Sequence, residues 1–79
     1  MEIRVGSVVI AKAGRDKGKA FAVVEVPDRR TVLIADGKSR PLERPKRKNI
    51  IHLQAAGATA DRITTNRQLR IFLKDFTGG

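Results

Sequence analysis

The chain has 79 residues and a mass of 8.7 kDa, room for one small domain, because a chain of this size buries only roughly 60 to 65% of the surface its unfolded form exposes. Seventeen Lys and Arg against eight Asp and Glu leave a formal charge of +9 and a pI near 11.2, the balance of a protein whose partner is a polyanion. Cysteine is absent, His52 is the single histidine, and no apolar run approaches the roughly 18 residues of a membrane span, so a disulfide framework, a thiolate nucleophile, an ordinary tetrahedral zinc site and a spanning helix are excluded.

Three apolar runs rich in β-branched residues occupy the first half of the chain, at 8–11 (VVIA), 21–26 (FAVVEV) and 31–35 (TVLIA). They read as strands. Turn chemistry bounds each of them: the glycines of 14–18, Pro27-Asp28, and Asp36-Gly37, a pair that favours a tight hairpin. Residues 38–42 are expected as a short fourth strand at an edge, since Pro41 and Pro45 cannot donate to a ladder, and 50–53 as a fifth. Short antiparallel strands at this spacing predict a small barrel that closes on itself. In the first strand Val8 and Ile10 take one face and Val9 and Ala11 the other, as expected if one face lines the barrel and a covering element lies on the second.

Residues 54–60 (QAAGATA) have the composition of a linker. Beyond them, Thr65 and Gln68 match a capping box, which predicts a helix over 66–75. Leu69, Phe72, Leu73 and Phe76 recur at i, i+3, i+4 and i+7 on one face, with Arg67, Arg70 and Lys74 together on another. Helical periodicity explains the phenylalanine pair as packing rather than base stacking. So short a helix is marginal alone in water and must dock, on the barrel or on a partner. The domain reading is therefore a barrel over 1–54, with 55–79 a linker and helix that belong to the same single domain.

Two segments carry the charge. The loop Gly14-Arg15-Asp16-Lys17-Gly18-Lys19 sets three cations and two glycines between two strands; the glycines let the backbone approach a phosphate, and the cations neutralise it, Arg by forking two oxygens at once. It is not a nucleotide P-loop, having three residues between its glycines instead of four and Ala20 after the lysine. The second segment has Lys38, Arg40, Arg44, Lys46, Arg47 and Lys48 against the single Glu43, kept extended by prolines and spaced to follow a phosphate backbone.

These residues carry a family resemblance. The run from Gly6-Ser7-Val8-Val9-Ile10 through the 14–19 loop to Val23-Val24-Glu25-Val26 resembles the KOW motif of ribosomal proteins and transcription elongation factors. Val32-Leu33-Ile34-Ala35-Asp36-Gly37, Pro45-Lys46-Arg47-Lys48-Asn49 and Ile51-His52-Leu53 are similar to the archaeal and eukaryotic large-subunit ribosomal protein family fourteen-e and its small bacterial relatives. The similarity covers roughly residues 5–54. It implies a mainly β fold, a small SH3-like five-stranded β-barrel, here followed by a short C-terminal α-helix. It also implies binding of structured RNA by the loop between the first two strands, through Lys12, Arg15, Lys17 and Lys19, and by Lys46, Arg47, Lys48 and Asn49 on the approach to the last strand; Gly18 joins the set as a glycine that lets the loop backbone approach a phosphate.

The expectation is a non-enzymatic, RNA-binding ribosomal or ribosome-associated protein of translation, gripping ribosomal RNA in a ribonucleoprotein by phosphate and shape. RNA and ribosomal proteins are its expected partners, with no membrane, small-molecule substrate, metal or cofactor. Lys38, Arg40 and Arg44 join its RNA-binding set by charge. Base reading is secondary: Tyr and Trp are absent, and Phe21 is the one aromatic expected near the RNA surface. His52 has no nucleophile or metal cluster beside it, and the acids are scattered singly among cations, so no catalytic constellation can be named. The start Met1-Glu2-Ile3-Arg4 lacks the features of a secretory signal, and a cytoplasmic location is expected. The alternative is a KOW-type protein-interaction module of the transcription and translation machinery, which needs an exposed apolar groove. A third reading, a modifier or sulfur carrier using the terminal Gly78-Gly79, conflicts with a helix running up to that tail; fraying of the terminus is the plainer account.

Overall fold

The computed structural model describes residues 3–60 and 63–76. In chain order it contains β1 (Ser7–Ala11), β2 (Ala20–Glu25), β3 (Thr31–Ala35), β4 (Lys46–Asn49), a single 3₁₀ turn (Ile50–His52), β5 (Leu53–Thr59) and α1 (Asn66–Leu73). One antiparallel sheet takes the order β4-β3-β2-β1-β5. The first four strands form the expected meander, and the fifth returns to pair with β1, rolling the sheet into a mainly β, barrel-like fold. Gly78-Gly79 lies outside the described residues.

The second half of the sheet departs from expectation in three places. Residues 38–42 are not a strand, and Asp36-Gly37 does not form a two-residue hairpin. Instead Asp36 folds the chain onto its own side chain: Oδ1 accepts from the amides of Lys38 (2.8 Å) and Arg40 (2.9 Å), and the Asp36 amide donates to the Arg40 carbonyl (2.9 Å). This competes successfully with a ladder, so the fourth strand starts only after Pro45.

Residues 50–52 are likewise not strand. The Asn49 carboxamide accepts from the Ile51 amide (3.0 Å) at the start of a 3₁₀ turn that the Leu53 amide closes by donating to the Ile50 carbonyl, while the Ile50 amide donates to the Arg30 carbonyl (2.8 Å). His52 sits in that turn, exposed.

The third departure is at 54–60, where the expected linker is most of β5, so the barrel extends to Thr59 instead of stopping at residue 54. Ala55, Gln54 and Leu53 pair with Val9, Ile10 and Ala11, and Thr59 pairs with Ser7 across a register shift. Gly57, at φ +75°, lies in the shifted stretch, where two extra residues in β5 need a conformation that other side chains resist.

Two apolar layers explain why β1 is apolar on both faces. Val9, Ala11, Phe21, Val23, Val32, Ile34 and Leu53 fill the barrel interior. Val8, Ala20 and Ala22 join Ala35, Leu69 and Leu73 in a second cluster between the sheet's outer face and α1, with Phe72 and Phe76 packed at its margin. The helix is therefore the expected cover, and small alanines on the sheet let it approach closely. Burial of Leu69 and Leu73 contributes about 1.5 to 3 kcal/mol each, which is what makes an eight-residue helix persist.

Its start is the expected capping box: the Thr65 hydroxyl accepts from the Gln68 amide (3.1 Å), and Gln68 Oε1 accepts from the Thr65 amide (3.3 Å). Three further bonds tie α1 to the β3–β4 connection. The Leu42 amide donates to Asn66 Oδ1 (2.8 Å), Asn66 Nδ2 to Glu43 (2.7 Å), and Arg70 Nη1 to the Gly37 carbonyl (2.9 Å).

Candidate nucleic-acid interface

The β1–β2 loop is a self-closed hairpin tip. The Gly18 amide donates to the Ala11 carbonyl (2.8 Å) and the Ala11 amide to Lys19 (3.0 Å), while the Lys17 and Lys19 amides donate to the carbonyls of Gly14 and Asp16 (3.2 and 2.9 Å). Gly14 and Gly18 both hold positive φ (+81° and +88°), the conformation that permits so tight a path. The Lys12 amide donates outside the loop, to the His52 carbonyl (2.8 Å), and Lys12, Arg15, Lys17 and Lys19 are all exposed.

The second basic segment divides by strand alternation. In β4, Lys46 and Lys48 stand opposite Ile34 and Val32, and Arg47 opposite Leu33. Cross-strand partners share a face, so the two lysines take the side of the barrel core and Arg47 the other. Both are half-buried, as lysines are when their stems lie along apolar surface. Lys46 Nζ lies 3.7 Å from Asp16 Oδ2, and a methyl group added at Gly14 would stand 3.7 Å from Lys48 Nζ. Both lysines therefore reach the β1–β2 loop. Asp16 also faces Lys19 at 3.7 Å, so one carboxylate lies between the loop and β4. Loop 12–19 with Lys46 and Lys48 sets six cations against that single acid; such a surface repels itself and is relieved by a bound polyanion.

The remaining candidates go elsewhere. Arg47 forms an ion pair with Asp28 (3.0 Å) in the β2–β3 connection. Asn49 is occupied in capping the 3₁₀ turn. Lys38 is turned to a cleft beside α1, and Arg40 and Arg44 belong to the β3–β4 connection, half-buried and exposed respectively. Phe21, expected near the RNA surface, is 1% exposed in the barrel core, because its place in β2 points it inward. Base stacking by Phe21 is excluded.

Hydrogen bonds from the Arg30 amide and from the Thr31 hydroxyl and amide, with a smaller part from Arg47, hold the Asp28 carboxyl below the ordinary aspartate value. It organises the β2–β3 turn and occupies Arg47.

Two features escaped sequence reasoning. One is a hollow of about 400 Å³ lined by Ile3, Val26, Val32, Ile50 and Leu53 with Asp28 and Arg29 at its rim. The other is the cleft holding Lys38, which also takes Arg70 and Lys74 from α1. Their i, i+4 spacing marked a charged face, but nothing local to the helix placed Lys19 and Lys38 opposite it. Among the described residues no group of three His, Cys, Asp or Glu is placed to hold a metal ion, and no helix is long and apolar enough to cross a membrane. No protein-family model matches the chain, and no curated protein matches it.

Proposed function

We propose that this protein is a non-enzymatic RNA-binding barrel of SH3-like, KOW type, a cytoplasmic ribosomal or ribosome-associated protein that grips structured RNA through phosphates. The observation that carries this reading is the convergence of Lys46 and Lys48 on the β1–β2 loop, which joins two sequence-distant basic segments into one cationic face. Lysines and arginines on a rigid strand and a closed loop position phosphates without reading bases, and the absence of Tyr and Trp fits recognition by shape.

The test is crosslinking and sequencing of RNA recovered with the tagged protein from its own cells, beside ribosome sedimentation in low and high salt. Enrichment of one ribosomal RNA site with cosedimentation is the expected result; a sample without RNA overturns the reading. Neutralising five to eight phosphates gives a log–log salt slope of about −0.7 to −0.9 for each.

The apolar hollow beside Ile3, Val26 and Ile50 favours a second reading, a protein-interaction module. Its mark is a protein partner that survives nuclease treatment and is lost on Val26→Asp.

A further inference from the structure

The cleft between α1 and the turn after β3 has a volume of about 550 Å³. Four cations line it: Lys19 from the end of the β1–β2 loop, Lys38 from the turn, and Arg70 and Lys74 from the helix. One acid, Asp36, also lines it, and both of its carboxylate oxygens are engaged, Oδ1 by the Lys38 and Arg40 amides and Oδ2 by the Ser39 hydroxyl at 3.2 Å. Cations therefore outnumber acids in the lining of the cleft four to one.

Arg70 is held in place. One arm of its guanidinium donates to the Gly37 carbonyl at 2.9 Å, and Gly37 is itself buried against the backbone of Asn66. A guanidinium fixed by one N–H presents its others with little entropy left to lose, the condition under which Arg binds a phosphate well. The floor of the cleft is Ala20 and Leu73, both buried, and no aromatic lines it, so it offers charge and hydrogen bonds but no platform for a base.

Lys19 is shared: it lines this cleft and faces Asp16 in the loop that Lys46 reaches. The cationic face of loop and β4 is thus continuous with the cleft. We infer that the cleft seats a backbone phosphate of the same RNA, with Lys38, Arg70 and Lys74 as its ligands, so that α1 is part of the interface as well as the cover of the sheet. This inference rests on the RNA-binding reading above.

The experiment compares the full chain with four variants in titrations against a duplex-containing fragment of large-subunit ribosomal RNA, at several salt concentrations. Lys38→Gln with Lys74→Gln is expected to weaken binding about tenfold near 0.1 M salt and to make the salt slope shallower by about 0.7 to 0.9, one phosphate's worth, or more. Arg67→Gln removes a helix charge outside the cleft and is expected to stay within about twofold. Arg70→Lys keeps the charge but loses the fork, and is expected to weaken binding with the melting temperature reported beside it to separate misfolding. Lys46→Ala with Lys48→Ala tests the loop and β4 face alone. If that last variant loses affinity while the cleft variant behaves like Arg67→Gln, the cleft inference is overturned and the RNA-binding reading stands. Should the unaltered protein bind no RNA, both fall. A nitrogen-15 NMR titration with pyrophosphate gives a direct readout: saturable shifts centred on Lys38, Ser39 and the end of α1 support the cleft, and uniform shifts at every exposed cation count against it.

Discussion

Lys46 Nζ stands 3.7 Å from the Asp16 carboxylate, joining β4 to the loop between β1 and β2. The pair is partly exposed, and contacts of that kind contribute about 0 to 1 kcal/mol. Its value is geometric: it marks where two basic segments far apart in the chain become one surface.

Binding should therefore follow strand parity in β4. On the RNA-binding function proposed above, Lys46→Ala and Lys48→Ala are each expected to weaken ribosomal RNA binding about three- to tenfold. Arg47→Ala, on the opposite face and paired with Asp28, should leave affinity within about twofold and lower the unfolding midpoint slightly. Equal losses at all three positions in a binding titration would reject the divided face.

Glycine substitutions should separate two causes of strain. Gly37 has φ +79°, and an added Cβ would collide with the Asn66 carbonyl oxygen at the start of α1. Gly18 has φ +88° with nothing within 4 Å. Gly18→Ala is expected to cost about 1 to 2 kcal/mol from backbone conformation alone. Gly37→Ala carries that cost plus displacement of the helix, and chemical denaturation should show a clearly larger loss.

The helix should depend on two separable contributions. Leu69 is fully buried between α1 and the sheet, so Leu69→Ala should cost about 2 to 5 kcal/mol. Thr65→Ala removes the hydroxyl that accepts from the Gln68 amide and should cost about 0.5 to 2 kcal/mol. Unfolding curves followed by circular dichroism measure both; a Leu69→Ala protein as stable as the parent would mean that the helix does not cover the sheet.

Asp28 sets an acid limit. Its folded pKa lies below the ordinary value of 3.8, so its contribution is fully present above that value and is lost as pH falls through the lower, folded one. Asp28→Asn should be less stable than the parent near neutral pH, and the gap should close as pH falls below about 3.8. Thermal melts from pH 7 to pH 2 follow it; a gap that is constant with pH would remove the carboxylate from the account.

What was legible in the residues themselves was whatever local chemistry decides. The β-branched runs became β1 to β3, and the Thr65–Gln68 box starts the helix where it should. The two-faced apolar pattern of β1 announced a covered barrel, and the loop glycines with their cations announced an exposed basic tip. Each of these rests on contacts within a few residues or on a simple periodicity. One departure turns on a partner distant in the chain, and the other two on short-range side-chain bonds that outcompete a ladder. Residues 53–59 carry little strand propensity of their own, and become a strand because β1 offers an unpaired edge. Side chains of Asp36 and Asn49 took backbone donors that a strand would have used.

The same division holds for the surface. Composition alone gives a positive protein, but a count of charges has no direction. Only the register of β4 against β3 sends Lys46 and Lys48 toward the loop and Arg47 away, and only the docking of α1 brings Arg70 and Lys74 across from Lys38. Strand parity and helix docking are set by burial of Val32, Ile34, Leu69 and Leu73, residues with no charge at all, and they decide which cations share a face.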